Sequence, residues 1–168
     1  MTMARHRCRS AALGAALATT LGALPTLYAL AVRSMLRRNL GRLWAGDPGP
    51  LLATYADDVH FVFPGRSSWA ADLRGRDEVE RWLRRFLRVG LQFEVHEILV
   101  AGPPWNTTVC LWFTDRLTAP DGEVVYVNRG TIMTKIAWGK ATYYEVNEDT
   151  QKDDELDEWL ASHEPTGA

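Results

Sequence analysis

The sequence predicts an α+β fold, with helices set apart from an antiparallel meander. Three observations carry this. "RDEVERWLRRFLRVG", residues 76–90, places Val79, Trp82, Leu83, Phe86 and Leu87 at i, i+3, i+4, i+7 and i+8, the stripe of an amphipathic helix. Three long runs, 91–102, 107–118 and 123–138, alternate and are rich in β-branched and aromatic residues, as strands are. Pro120-Asp121-Gly122 separates the last two of these runs, Trp138-Gly139-Lys140 turns the chain into a fourth, "ATYYEVNED" (141–149), and both read as hairpin turns.

The remaining elements follow in order. Residues 11–32, "AALGAALATTLGALPTLYALAV", carry no charge and have basic residues on both sides. The length suits a bilayer span. Ala29-Leu30-Ala31 also resembles a signal cleavage site. In a third reading a domain helix begins at Pro25, with Val32, Leu36, Leu40 and Leu43 on one face and Arg33, Arg37 and Arg38 off it. That helix stops at Gly46-Asp47-Pro48. The three readings give a leader over 1–23, one domain over 24–163 and a tail over 164–168. Location is accordingly cytoplasmic, membrane-anchored or exported.

A short helix is expected over 50–56, then a strand over 59–64 ended by Pro64-Gly65. A loop with a short strand near Trp69–Leu73 leads into the 76–90 helix. Asp77 and Glu80 read as a capping box there, and Gly90 as the stop. After the meander, an acidic helix from about Thr150 holds Leu156, Trp159 and Leu160 on one side. A strongly curved sheet wrapped against the long N-terminal helix makes a cone with a cavity at its open end, a usual place for a small-molecule site.

Composition narrows the function. Residues 1–42 carry seven arginines and no acid, and the remainder holds all 21 acids against 12 basic residues. An acidic domain argues against nucleic acid as a partner. Cys8 and Cys110 lie far apart, and the four histidines are isolated, so no disulfide framework or local metal site is implied. No cofactor is implied either.

"LWAGDPGPLLATYADDVHFVFPG", the "LRGRDEVERWLRRF" helix and the "WGKATYYEVNEDTQK" end resemble the nuclear transport factor 2-like superfamily, and within it SnoaL-like domains, over residues 30–160. The resemblance implies a cone-shaped α+β barrel, often dimeric. Its members include isomerases, cyclases, hydrolases and non-catalytic binding domains, so the fold alone does not choose a function. It implies that Asp57 and Asp58 cap the corner between the second helix and the first strand. It also locates family catalytic positions on Phe63, Asn39 and Ile132 for the ketosteroid isomerases, and on Val146 for the cyclases. None of these carries the required acid or phenol, so neither reaction is expected.

Hairpin geometry offers an independent route to the pocket. A two-residue turn at Asp121-Gly122 sets Asp115 opposite Asn128, Phe113 opposite Gly130 and Leu111 opposite Ile132, on the inner face with Val109. Cys110, Trp112, Thr114, Arg129, Thr131 and Met133 then form the outer face, expected to pair two copies of the chain. Asp115 beside Asn128 reads either as a carboxyl of raised pKa or as an ordinary cross-strand hydrogen bond.

For the last hairpin, a three-residue Ala137-Trp138-Gly139 loop puts Tyr144, Val146 and Glu148 inside. A two-residue turn puts Glu145, Asn147 and Asp149 inside. The resemblance favours the first. Asp115 and Glu148 are then the candidate acid/base groups. Asn128, Tyr144, Phe61, Phe63 and Trp44 are the candidate ligand contacts, with His60 facing away. The expected function is binding of a small apolar molecule. The alternative is a cofactor-free isomerase, cyclase or hydrolase.

Overall fold

The computed structural model describes the backbone of residues 5–163 and the side chains of residues 25–163. The expected leader is therefore described in backbone alone from residue 5 onward, and the 164–168 tail lies outside the described residues. Helix α1 spans Arg5–Trp44 and contains Pro25. The expected start at Pro25 is thus corrected: the helix continues through it, at the loss of one backbone hydrogen bond. Tyr28 shares a 2.7 Å hydrogen bond with the Thr107 hydroxyl, which itself donates to the Pro103 carbonyl. Residue 28 is therefore tied to the sheet, and cleavage after Ala31 would remove that tie. Val32 and Leu43 are buried, with Leu36 and Leu40 packed beside them. Among the described residues, no helix is long and apolar enough to cross a membrane.

Helix α2 is only Gly49–Leu52, and strand β1 runs Tyr55–Phe63. Both the backbone N–H and the hydroxyl of Thr54 turn back to the Leu51 carbonyl and end the helix. Asp57 and Asp58 consequently stand exposed in the strand and are not its cap. Asp57 forms a 2.8 Å ion pair with Arg76. Buried Asn39 donates to the Pro50 carbonyl at 3.2 Å and so joins α1 to α2.

Strand β2 (Ala71–Arg74) pairs antiparallel with β1 and leads into α3 (Arg76–Val89). Gly75 occupies the N-cap, and no side-chain cap forms. The expected capping box does not form because the helix starts before Asp77, which lies in its first turn; Glu80 pairs with Arg84, and Glu78 accepts the Arg74 N–H at 3.2 Å. Gly90 closes α3 at φ 83°, as its position predicts.

Strands β3 (Gln92–Ala101), β4 (Thr107–Thr118), β5 (Val124–Ala137) and β6 (Lys140–Glu148) form the expected meander. The sheet order is β2-β1-β6-β5-β4-β3. Strand β1 joins β6 in parallel, so the sheet is mixed and not wholly antiparallel. Strands β2 and β3 remain its edges. The cone is therefore an open curved sheet, as expected of the fold, and not a closed barrel.

Both long hairpins have turns one residue away from the expected ones, and in both a bulge restores the register. At β4–β5 the loop is Pro120-Asp121-Gly122, with Gly122 at φ 91°. The register then shifts between Leu117 and Thr118, and Asp115 still meets Asn128. At β5–β6 the turn is Trp138-Gly139, both with positive φ, which fits a tight two-residue hairpin. The register shifts between Lys135 and Ile136, so Thr134 meets Tyr144 and Gly130 meets Glu148. The inner set of the expected three-residue loop is thus reached by a different turn. Helix α4 (Thr150–His163) packs on β5 and buries Asp153, Leu156 and Leu160.

Candidate functional site

Helices α1 and α3 and the inner face of the sheet enclose a cavity of about 80 Å³. That is room for roughly three waters or a similarly small part of a ligand. Leu36, Leu40, Trp82, Phe86, Phe113 and Val146 are among its walls. Trp44 is the most exposed lining residue, at 37%, and marks the opening. Its ring leans on Phe93 at 5.3 Å and on Phe86 at 6.0 Å.

The polar end holds Asp115 and Glu148. Both also border a smaller cavity of about 20 Å³ that reaches Trp69, Tyr126, Asp153 and Leu156. Three carboxyls therefore cluster between the sheet and α4. Asp153 is 1% exposed and accepts at one oxygen from the Tyr126 hydroxyl (3.0 Å) and the Asn128 amide (3.2 Å). The Asn128 amide also donates to the Tyr126 hydroxyl and to the Asp149 carbonyl. Asp115 Oδ1, Glu148 Oε2 and Asp153 Oδ2 are buried with no hydrogen-bond partner.

Burial opposes ionisation at all three acids. It pushes Glu148 up to about 9, reinforced by the charges of Asp115 and Asp153. Burial likewise raises Asp115 to about 7, with Asp153 adding repulsion. Asp153 rises less, to about 6, because hydrogen bonds from Tyr126 and Asn128 favour its charged form. At neutral pH, Glu148 is then a neutral hydrogen-bond donor and Asp115 is poised between donor and acceptor. The buried Tyr126 and Tyr144 phenols are pushed upward and stay protonated.

The predicted site residues separate into three groups. Asp115, Glu148, Tyr144, Phe63 and Trp44 line the main cavity. Phe61 does not: it is buried behind the wall, stacked on Tyr144 at 5.3 Å and against Trp82 at 4.8 Å. Asn128 does not line it either; its amide is used up holding Tyr126, Asp149 and Asp153 together. His60 faces away as expected and bonds Asp72 at 2.7 Å. Phe63, Ile132 and Val146, which stand where the resemblance implied catalytic groups, all line the cavity as apolar walls.

Sequence reasoning missed Asp153 and Tyr126. Both had a signal. Asp153 lies three and seven residues before Leu156 and Leu160, so it shares their helix face. Tyr126 lies two residues before Asn128 on one strand, so it shares that sheet face. Among the described residues, no group of His, Cys, Asp or Glu is arranged to hold a metal. The outer face presents Trp112, Arg129 and Thr131 exposed, with Cys110 and Met133 half-buried.

The model of the SnoaL-like domain family matches residues 36–144. Several solved structures share the fold. One is a nuclear transport factor 2-like protein of unknown function from Burkholderia pseudomallei, 19% identical, with a TM-score of 0.60 over 77% of this chain and 94% of that one. Another is Bal32a from a soil-derived mobile gene cassette, 17% identical, TM-score 0.61, covering 75% and 93%. A third is TerC co-crystallised with polyporic acid, 22% identical, TM-score 0.58, covering 72% and 96%. No curated protein matches the sequence.

Proposed function

The chain belongs to the SnoaL-like domain family, and from that premise we propose that it binds a small, mainly apolar molecule in the cone. The ligand carries one polar group, which meets Glu148 and Asp115. The observation that carries this reading is the pair of unpartnered carboxyl oxygens, Asp115 Oδ1 and Glu148 Oε2, at the end of an otherwise apolar cavity. Buried polar atoms without partners are costly, and a ligand hydroxyl or carbonyl offsets that cost. The TerC structure, of the same fold, was obtained with an organic acid.

Native mass spectrometry of the gently purified full chain tests this. A retained small molecule supports the binding reading and gives its class. Failure to retain or rebind any small organic molecule counts against it.

A second reading is favoured by Asp115 alone. A carboxyl held near pH 7 beside a protonated acid suits general acid/base catalysis without a cofactor. The reaction class would be isomerisation, cyclisation or hydrolysis. Asp115→Asn is then expected to lower kcat by two orders of magnitude or more. Turnover unchanged in both Asp115→Asn and Glu148→Gln would remove this reading and leave binding.

A further inference from the structure

We infer that the end of the molecule bearing Trp105 and Trp138 docks on the surface of a lipid bilayer. Trp105 and Trp138 are 58% and 75% exposed, yet their rings meet at 5.8 Å. They sit on two neighbouring turns, β3–β4 and β5–β6, locked together where the Trp138 N–H donates to the Pro104 carbonyl at 2.8 Å. The β3–β4 turn is tight: a Cβ on Gly102 would lie 2.2 Å from the Asn106 carbonyl oxygen. Two large rings on a rigid shelf, outside the core, are what a membrane interface uses as anchors.

The Tyr28–Thr107 bond brings α1 to this same end, two residues along the chain from Trp105. From Trp44, which packs on Phe93 at the start of β3, the helix runs back to Tyr28 beside the start of β4. Residues 10–32 contain no charged side chain, and Arg5, Arg7 and Arg9 lie at the far end. Leu27 (60%) and Leu30 (51%) are exposed where the helix leaves the domain.

Charge agrees with a lipid headgroup. Lys140 and Lys135 flank the patch, bonded to the Ala53 carbonyl and the Thr108 hydroxyl. Residues 102–108 and 134–142 include no carboxylate. Basic side chains behind an aromatic pair suit the phosphates of an anionic surface.

The test is flotation of the full chain with vesicles of phosphatidylcholine, with and without phosphatidylglycerol. The chain is expected to float with both, and more tightly with the anionic lipid. Brominated phosphatidylcholine is expected to quench tryptophan fluorescence, and Trp105→Phe with Trp138→Phe to remove most of that quenching. Trp105→Ser with Trp138→Ser is expected to weaken binding on the order of tenfold, and these surface changes leave the core intact. A chain that stays at the bottom of the gradient overturns the inference. So does a chain that floats with Trp105 and Trp138 unquenched, since α1 alone would then be holding it. Lipid-free self-association lost in the Trp105→Ser, Trp138→Ser variant would assign the patch to a second copy instead.

Discussion

Glu148 and Asp115 are held in their neutral or half-neutral forms by burial, and folding is linked to that choice. The unfolded chain releases these protons above the ordinary carboxyl values of 4.5 and 3.8, while the native chain keeps them to about 9 and about 7. Stability is therefore full below pH ~4 and is lost as pH rises through the folded values. Glu148→Gln and Asp115→Asn are each expected to stabilise the protein at pH 8 by roughly 1–3 kcal/mol and to flatten its pH profile, as urea melts at several pH values would read. A variant less stable than the parent at pH 8 contradicts the neutral assignment. Gly130 governs the same spot sterically. A Cβ there would meet the Asn147 carbonyl at 2.5 Å, Glu148 Cβ at 2.7 Å and Phe113 Cζ at 2.9 Å. Gly130→Ala is expected to cost roughly 1–3 kcal/mol by denaturant melt, because neither backbone nor strand can give way.

At the scale of elements, the β5–β6 hairpin decides which side chains see the cavity. Its two-residue turn alone would point Glu145 and Asn147 inward. The extra residue at Thr142 reverses that and delivers Tyr144, Val146 and Glu148. Deleting Thr142 is expected to turn those three residues outward and abolish cooperative unfolding in a thermal melt. Retention of a sharp transition would show that the bulge is dispensable. This is also why the inner faces were legible while the turns were not. Alternation fixes a face through strong burial preferences, so Asp115 and Asn128 could be assigned in advance, whereas Tyr144 was favoured only by the resemblance. Bulges carry weak local signals: one compensated for a β4–β5 turn that spacing had misjudged, and another reversed the faces that the two-residue β5–β6 turn alone would give. Asp57 and Asp58 were misread for a related reason: Thr54 ended α2 early, and β1 began before the acids. The edges of α3 show the same limit, since Gly90 announced its stop while Asp77 and Glu80 announced a cap that does not form.

The whole molecule is an open cone in which α4 closes one end over acids and Trp44 marks the other, apolar end. Its fold was legible because helix periodicity, strand alternation and the resemblance all agreed. The three-carboxyl cluster was not, because Asp153 reaches Asp115 and Glu148 only through α4 packing on β5, which no local pattern encodes. Removing that packing tests the arrangement: Leu156→Ala is expected to cost roughly 2–5 kcal/mol and to lower the Glu148 pKa as water reaches it. The central claim is that the cone takes an apolar molecule and reads its polar group with Asp115 and Glu148. The most direct test is NMR titration of the methyl-labelled full chain at neutral pH with toluene and with p-cresol, which differ by one hydroxyl. Both are expected to shift the methyls of Leu36, Val109, Ile132 and Val146, with p-cresol binding roughly three- to tenfold tighter, a preference that disappears in the Asp115→Leu, Glu148→Leu variant. Unmoved methyls, or a preference that survives the loss of both acids, would contradict it.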